Sequence, residues 1–219
     1  MNDDDDLRAL SRRELLRSAL VGGGGLLLGI GCGSTRAYAD ADARARVSPP
    51  EQCAATDDNI EGPYYRPGAP FRSDLVTGGV RGTPLVLAGR VLAPDCRTPL
   101  RHAVLDVWQA DAEGHYDNDA AMEHIAREVF RLRGRLRTDA RGRYELRTIL
   151  PGHYLNGPTY RPAHIHVKVG ARGHALLTTQ LYFDRDPYNE ADAFFLPSLV
   201  LDMHEAQRGK RARFDFVLA

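Results

Sequence analysis

The chain after about residue 58 is a series of short apolar runs separated by polar turn residues. The runs are rich in Val, Leu, Ile and aromatic residues, a composition typical of β-strands. They cover residues 85–92, 103–109, 142–149, 164–169, 175–183 and 211–218. Turn-forming groups that contain Gly, Pro or Asp lie between them, at residues 94–95, 113–114, 139–142, 151–152 and 156–158. The pattern therefore predicts many short strands.

This spacing favours one architecture over others. Many short strands broken by turns are typical of a sandwich or barrel, whereas alternating strands and helices would indicate a parallel α/β fold. Only residues 120–130 and 192–202 are compatible with a helical turn or two. We therefore expect one all-β domain, a β-sandwich of mostly antiparallel strands with long loops around its site and one or two short helices.

The first forty residues have a different character. An acidic start is followed by the basic segment Ser11-Arg12-Arg13-Glu14-Leu15-Leu16-Arg17 and by an apolar, Gly-rich stretch at residues 19–30. That stretch is shorter than the roughly 20 residues that a membrane-spanning helix needs. Together with Ala37-Tyr38-Ala39, it predicts a secretory signal peptide over residues 1–39.

The paired arginines indicate the export route. Arg12-Arg13 after a serine resembles the twin-arginine signal, which carries proteins that are already folded. We expect an exported protein, in the periplasm or outside the cell. A disordered tail or a membrane anchor is the alternative interpretation. Lipoprotein processing at Cys32 is disfavoured, because Gly29 stands where a leucine is usual. Residues 40–58 are expected to form an extended arm, and residues 59–219 the catalytic domain.

Composition excludes several classes of protein. The 29 basic and 29 acidic side chains give a net charge of zero, so there is no basic surface for nucleic acid and no polybasic segment for a lipid surface. The hydrophobic fraction of 43% is that of an ordinary globular domain, which excludes a collagen-like or wholly disordered chain. We expect no nucleic-acid partner and no membrane contact beyond the export signal.

Two cysteines remain after removal of the leader. Cys53 and Cys96 do not have the spacing of a Cys-rich zinc site. In an oxidising compartment they are able to form a disulfide, and two separate buried thiols fit the sequence equally well.

The strongest local signal is a pair of histidines in a predicted strand. His164 and His166 point to one face, whereas Ile165, Val167 and Val169 point to the other. Two imidazoles on one face are well placed to bind one metal ion. Imidazole suits zinc, copper, iron and nickel, so the pair alone does not choose among them, and a merely hydrogen-bonded pair also fits.

Two tyrosines stand at turn positions from which a side chain is able to reach this pair. They are Tyr116 and Tyr154. A phenol has a pKa near 10 in water and becomes a ligand at neutral pH only when a strongly Lewis-acidic cation holds it deprotonated. Ferric iron does this well, and ferrous iron and zinc do it poorly. No carboxylate stands beside the histidines in the pattern of a two-histidine, one-carboxylate ferrous site.

Five short motifs occur in a characteristic order. They are Glu61-Gly62-Pro63-Tyr64-Tyr65, Asp106-Val107-Trp108-Gln109-Ala110, Pro151-Gly152-His153-Tyr154, Arg161-Pro162-Ala163-His164-Ile165-His166 and Thr179-Gln180-Leu181-Tyr182-Phe183. With these motifs the chain resembles the intradiol ring-cleavage dioxygenases, particularly the protocatechuate 3,4-dioxygenase-like branch. The resemblance runs from about residue 58 to residue 218.

The resemblance implies a complete site. It implies one non-haem ferric ion per chain, held by Tyr116, Tyr154, His164 and His166. It further implies that Arg161 stabilises negative charge on the substrate ring and that Gln180 lies near the oxygen-binding side. The positions that it implies for the substrate pocket are Tyr64, Trp108 and Leu155. A surface salt bridge for Arg161 and simple core packing for Trp108 are the alternative interpretations.

The resemblance also implies an activity. The family cleaves a catecholic ring with O2 between its two hydroxylated carbons, which gives a cis,cis-muconate-type diacid without an organic cofactor. Tyr154 would act as a base toward a catechol proton. Leu155 and Asn156 follow this tyrosine where the best-known protocatechuate enzymes carry a tryptophan, and the interval to His164 is short. The sequence therefore leaves open which catechol is the substrate.

Two further points stay open. About twenty residues precede the first motif in the processed chain, so we expect no helical N-terminal dimerisation domain of the catechol branch; a homo-oligomer remains compatible with the sequence. A non-catalytic exported module that binds iron, catechols or a wall polymer would share the scaffold, and only Arg161 and Gln180 argue against it. A zinc or copper hydrolase or oxidase built on the histidines would leave both tyrosines without a role.

Overall fold

The computed structural model describes residues 53–122, 126 and 128–219. The predicted signal peptide and residues 40–52 of the predicted arm lie outside the described residues, so both remain predictions. In the described part, no helix combines the length and the apolar character that crossing a membrane requires.

The described chain is built almost entirely of short strands. In chain order they are β1 (Pro84–Leu92), β2 (Val104–Gln109), β3 (Arg133–Arg137), β4 (Arg143–Ile149), β5 (Leu155–Asn156), β6 (Thr159–Tyr160), β7 (His164–Gly170), β8 (Leu177–Tyr182), β9 (Asp202–Glu205), β10 (Lys210–Arg213) and β11 (Phe216–Val217). Two 3₁₀ turns, Ala120–Met122 and Pro197–Leu199, lie within the two segments predicted to carry helical turns. The all-β prediction is confirmed.

The strands form two main sheets and one small hairpin. One sheet has the order β3-β2-β7-β8, and all its neighbours are antiparallel. In the other, β1 pairs with β4 on one side and with β10 and β11 on the other, and β9 extends it beyond β10. The pairings of β1 with β10 and β11 are parallel. β5 and β6 pair only with each other within the described chain.

The core lies between these two sheets. For this reason apolar and polar residues alternate along the strands. In β7 the buried apolar side chains Ile165, Val167 and Val169 belong to one large cluster with Leu85 and Leu87 of β1. A sandwich buries one face of each sheet in this way and leaves the other face for loops or solvent. The opposite face of the β3-β2-β7-β8 sheet therefore carries the polar residues of these strands.

One strand was predicted as continuous and is interrupted. The run 211–218 divides into β10 and β11, both beside β1. Between them the Asp215 carboxylate accepts the Arg90 backbone N–H at 2.9 Å, so a side chain replaces one bond of the sheet ladder. The strand pattern also missed β3, because the segment Arg133–Arg137 is largely basic.

A disulfide joins Cys53 to Cys96, with 5.8 Å between the two Cα atoms. This decides between the two interpretations of the cysteines. Residues 53–58 form no regular element, yet this N-terminal segment is held to the sheets by two backbone bonds. Thr56 N–H donates to the Val217 carbonyl at 3.0 Å, and Asn59 N–H donates to the Thr178 carbonyl at 2.7 Å.

Candidate metal centre

The two histidines lie side by side on the polar face of β7. Both are buried, and their Nε2 atoms are 3.1 Å apart. His164 Nδ1 lies 2.6 Å from the Pro162 carbonyl oxygen, so it carries the proton and leaves the lone pair on Nε2. Burial, and then the charge of Arg161, lower the pKa of His164 to about 4. Burial, and then His164, hold the pKa of His166 well below its usual value. Neutral imidazole is the form that binds a metal.

Tyr116 is brought to the pair by the loop after β2. Asp111 shapes this loop, because its Oδ1 accepts the backbone N–H groups of Glu113 and His115. The Tyr116 hydroxyl oxygen lies 3.5 Å from Nε2 of His164, and the ring is 1% exposed. Burial, and then Tyr154, raise the pKa of this phenol far above its usual value.

Tyr154 approaches from a second loop, which packs against the first by backbone contact. A Cβ on Gly114 would stand 2.1 Å from the His153 carbonyl oxygen, and a Cβ on Gly152 would stand 2.4 Å from the Ala112 carbonyl oxygen. Gly114 also has a φ of +88°, which disfavours other residues. The Tyr154 ring lies edge-on to Tyr116 at 5.5 Å between centroids. These glycines therefore bring the two loops close enough for both phenols to meet.

The four side chains form a buried group of electron-pair donors. Tyr154 and His164 are 5.6 Å apart between ring centroids, and Tyr116 and His166 are 6.2 Å apart. His166 Nδ1 is buried and has no hydrogen-bond partner in the described chain. Within the described ranges, no three His, Cys, Asp or Glu side chains are grouped to hold a metal. The donor set here is instead two imidazoles and two phenols, and it fits a strongly Lewis-acidic cation.

Aromatic stacking holds two of these donors in place. Trp108 lies parallel to His166, with 4.7 Å between centroids and 3° between planes. Tyr64 stacks on Tyr116 at 4.3 Å and 12°, and meets Tyr154 edge-on at 5.6 Å. Both residues were predicted to line the substrate pocket, and both lie directly against donor rings.

Arg161 is buried and paired rather than exposed. Its side chain forms a salt bridge with Asp192, in which Nη2 and Oδ2 are 2.7 Å apart. Nη2 also donates to Gln180 Oε1 at 2.9 Å, and Nη1 lies 3.5 Å from the Tyr154 hydroxyl oxygen. Burial alone would lower the pKa of Arg161, but hydrogen bonds with Asp192 and Tyr154 raise it overall. The alternative interpretation of Arg161 as part of a surface salt bridge is thus wrong, because the salt bridge is buried.

Gln180 lies beside this pair and is held from the other side by the N-terminal segment. Its Nε2 donates to the Ile60 carbonyl at 2.9 Å. Two residues further on, Gly62 packs against His166, where a Cβ would lie 3.3 Å from Cε1 of the imidazole. The segment that begins at the disulfide therefore covers the centre.

Leu155 lies on the β5-β6 hairpin, which connects Tyr154 to Arg161. It is opposite Tyr160 in the register and is 55% exposed. Arg161 N–H donates to the Tyr154 carbonyl at 3.0 Å and closes the base of this hairpin. The assignment of Leu155 to the substrate pocket stays a prediction.

Two grooves of the described chain lie elsewhere. One, of about 800 Å³, is lined by residues that include Arg90, Arg143 and Arg211; the other, of about 560 Å³, includes Met203 and Lys210. Neither is lined by any of the four donor side chains. Both grooves are therefore separate from the buried donor group.

Sequence reasoning missed three residues of this centre. Asp192 gave no signal because it stands in an irregular segment 26 residues after His166. Tyr182 is within a recognised motif, and its hydroxyl donates to the Phe194 carbonyl at 2.9 Å beside Arg161. Gly62 lies in the first motif, and its contact with His166 depends on the tertiary structure.

The sequence of this chain matches a known family. The sequence model of the family described as Dioxygenase matches residues 60–219, which is most of the chain. The chain belongs to the intradiol ring-cleavage dioxygenases. A 6-chlorohydroxyquinol 1,2-dioxygenase of Cupriavidus pinatubonensis is 36% identical over 188 residues, 77% of this chain and 66% of the relative. Catechol 1,2-dioxygenase 2 of Acinetobacter lwoffii is 36% identical over 68% of this chain and 57% of its own length.

Solved structures of this dioxygenase family share the fold. The dioxygenase domain of a dioxygenase and carbohydrate-binding protein fusion from Streptomyces sp. SirexAA-E is 44% identical, with a TM-score of 0.66 over 75% of this chain and 98% of that chain. The 3-chlorocatechol 1,2-dioxygenase of Rhodococcus opacus 1CP is 32% identical, also with a TM-score of 0.66, over 75% of this chain and 72% of that one. This chain spans about half to two thirds of the curated relatives that it matches. The narrower protocatechuate-like assignment stays a prediction.

Proposed function

We propose that this protein is an exported non-haem Fe(III) intradiol dioxygenase, which cleaves a catecholic ring between its two hydroxylated carbons with O2 and gives a cis,cis-muconate-type product. The observation that carries the proposal is the convergence of two buried imidazoles and two buried phenols in a member of this family. One iron per chain would be held by Tyr116, Tyr154, His164 and His166. The substrates would be a small catechol and O2.

The residues present fit this metal. When bound, ferric iron supplies a Lewis acid that holds phenolates deprotonated at neutral pH and accepts the two oxygens of a catechol. Among the described contacts of the buried Tyr116 hydroxyl, the only base is His164. The pKa of His164 is itself low, so this imidazole is a poor acceptor for the phenol proton, and a bound cation would be needed to hold Tyr116 deprotonated. Two neutral imidazoles and two phenolates would together match a trivalent charge better than a divalent one.

Each remaining residue has a role set by its position. The Tyr154 oxygen would take one proton from a catechol hydroxyl, since it is a base once deprotonated. Arg161 points its Nη1 at that oxygen and would place positive charge where negative charge develops on the ring. Gln180 would fix the adjoining side of the cavity, and Trp108 and Tyr64 would hold the donor rings. Burial of the group excludes water, which strengthens these electrostatic contacts.

Export rests on the leader and is supported by the disulfide. A Cys53–Cys96 bond persists in an oxidising compartment and is rare in a reducing one. The twin-arginine pattern at Arg12 and Arg13 would carry the protein after folding, with its metal in place. The substrate would then be an extracellular catechol.

The activity is tested by oxygen uptake with iron-loaded protein. We expect O2 consumption with at least one of catechol, protocatechuate, hydroxyquinol and a caffeate-like compound, together with a visible tyrosinate-to-iron absorption that shifts when the catechol is added. Removing the iron with a chelator should abolish both signals. A colourless iron-replete protein would contradict the ferric assignment, and no uptake with any catechol would contradict the activity.

Replacing Tyr154 tests its role as ligand and base. Tyr154→Phe should lower kcat by about 100-fold or more, the usual contribution of a general base. Tyr160→Phe is the matched control, since this tyrosine lies on the same hairpin and is 49% exposed. Equal kinetics of the two variants would remove the assigned role of Tyr154.

Replacing Arg12 and Arg13 together by lysine tests the export route. The double variant should accumulate inside the cell. The matched control replaces Arg44 and Arg46, which follow the predicted cleavage site, by lysine; it should be exported as the unchanged protein is. Normal export of the first double variant would point to the general secretory route.

A further inference from the structure

The Arg161 guanidinium is held by hydrogen-bond contacts on one side. Asp192 Oδ2 accepts from Nη2 at 2.7 Å and lies 3.2 Å from Nε, while Oδ1 lies 3.3 Å from Nε. Gln180 Oε1 accepts from the same Nη2 at 2.9 Å. Both charged side chains of this pair are about 95% buried. A planar guanidinium bound in this two-pronged way has little rotational freedom.

This arrangement determines what the remaining nitrogen faces. Nη1 is left to point at the Tyr154 hydroxyl oxygen, 3.5 Å away. The Phe194 ring lies 5.0 Å from the guanidinium carbon and packs against it. Nη2 also donates to the Tyr182 hydroxyl at 3.4 Å. If the carboxylate were absent, only Gln180 and this longer contact would hold Nη2, Nε would lose its partner, and the guanidinium would gain freedom to rotate. The direction of Nη1 thus depends on the carboxylate.

We propose that Asp192 is a positioning residue of the reaction: its buried, two-pronged salt bridge orients Arg161 so that Nη1 faces Tyr154 and the reacting part of a bound catechol. Asp192 itself does not touch Tyr154 in any described contact, so it acts through Arg161. The kinetic part of this inference rests on the proposed function, and the structural part does not.

The segment that carries Asp192 is anchored to the strand that carries Gln180. The Asn189 side chain donates to the Phe183 carbonyl at 2.9 Å, directly after β8, and Asp192 N–H donates to the Asn189 carbonyl at 3.2 Å. Tyr182, on β8, donates to the Phe194 carbonyl. The carboxylate is therefore placed relative to the same sheet that places the histidines.

The charge of Asp192 has a second effect. An arginine that is neutralised by a carboxylate offers oriented N–H groups and little net charge. Such groups stabilise charge that appears during the reaction more than they stabilise the bound substrate. Loss of Asp192 is therefore expected to lower kcat and to leave KM nearly unchanged.

The kinetic experiment compares Asp192→Asn with Asp184→Asn in the iron-loaded full chain. Asparagine has the same shape but lacks the charge, and Asp184 is an exposed carboxylate of the same segment, 66% exposed and 3.3 Å from Arg185. We expect kcat of Asp192→Asn to fall by about tenfold or more, with KM changed less than about threefold. Asp184→Asn should keep both values. An unchanged kcat in Asp192→Asn, or a change confined to KM, would overturn the proposal.

A thermal experiment on iron-free protein tests the pair without any turnover. Asp192→Asn leaves Arg161 buried and uncompensated, so the melting temperature should fall by about 6 °C or more. Adding Arg161→Gln should recover part of that loss, because the unpaired charge is then removed. If the double variant melted at the same temperature as Asp192→Asn, or lower, Asp192 would stabilise only its own turn, where Oδ1 accepts the Phe194 N–H at 3.3 Å. That result would overturn the proposal. If wild-type protein consumed no oxygen, the proposed function would fail while this experiment still decided the pairing.

Discussion

Asp106 is a carboxylate buried on the same face of the sheet as the histidines, and its titration should control stability. It is 3% exposed, and the Tyr65 hydroxyl donates to its Oδ2 at 3.0 Å. In the register, Asp106 lies between Lys168 of β7 and Arg135 of β3. Burial raises the pKa of Asp106 to about 6, against the opposing effects of the Tyr65 hydrogen bond and the nearby cations.

A raised pKa in the folded state makes stability fall as the pH rises. The reference value is 3.8, so the unfolded chain releases this proton near pH 4, while the folded protein keeps it to about pH 6. Well below pH 4, Asp106 is protonated in both the folded and the unfolded state, and its burial then causes no pH-dependent loss of stability. Above pH 6 both are ionised, and the difference of about 2 pKa units corresponds to a loss of about 3 kcal/mol of stability.

The assay compares wild-type protein with Asp106→Asn, both free of iron, by urea unfolding between pH 4 and pH 7. Asparagine cannot ionise, so the free energy of unfolding of the variant relative to wild type should rise by about 3 kcal/mol across this interval. Other titrating groups cancel in the difference. Asp95→Asn serves as a control whose difference from wild type should change little between pH 5 and pH 7, because Asp95 is then ionised in both states. Hydrogen bonds from the Thr98 side chain and backbone, and then from Arg97, lower the pKa of Asp95 to about 2.

A difference between Asp106→Asn and wild type that does not change with pH, or one that falls as the pH rises, would contradict this expectation. Either result would mean that Asp106 ionises in the folded protein as readily as in water. The hydrogen bond from Tyr65 and the charges of Lys168 and Arg135 would then outweigh the cost of burial.

Three other changes follow from the packing. Gly114→Ala should disrupt the contact between the two tyrosine loops and abolish iron-dependent colour. Gly173→Ala is the control and should keep the colour, because Gly173 has a similar φ of +82° but open space around it. Equal colour in both variants would contradict the close packing of the two loops. Replacing Cys53 and Cys96 by serine should lower the free energy of unfolding by about 4 kcal/mol, since the disulfide closes a loop with a sequence separation of 43. An unchanged free energy of unfolding in urea would mean that other contacts constrain this loop. Leu146→Ala should cost about 2–5 kcal/mol of unfolding free energy because the side chain is 1% exposed in the core; a cost below about 1 kcal/mol would show that the core collapses into the space.

Strand positions were predictable where one face of a strand is apolar. The β7 segment is the clearest case, because Ile165, Val167 and Val169 alternate with polar residues. The basic segment Arg133–Arg137 could not be found in this way. Arg133 is buried there because it pairs with Asp117, with Nε and Oδ1 2.6 Å apart, and a distant partner of this kind leaves no local pattern.

The donor side chains of the candidate site could be predicted from the sequence, but the residues that position them could not. The motifs contain Tyr154, His164 and His166, and the family resemblance nominates Tyr116, which lies six residues after the second motif. Asp192, by contrast, is an ordinary acid in an irregular segment, and nothing near it in sequence indicates that it contacts Arg161. Contacts across 31 residues depend on how loops return to the sheet.

The sequence by itself determined the alternation that forms a β-sandwich, and the family motifs that nominate the four donor side chains, because both are local properties of neighbouring residues. Only the tertiary structure decided which side chains share one face. Register places Arg133, Trp108, His166 and Gln180 in one row across four strands. A shift of one residue would have turned each to the opposite face, so the centre exists through the pairing of the strands.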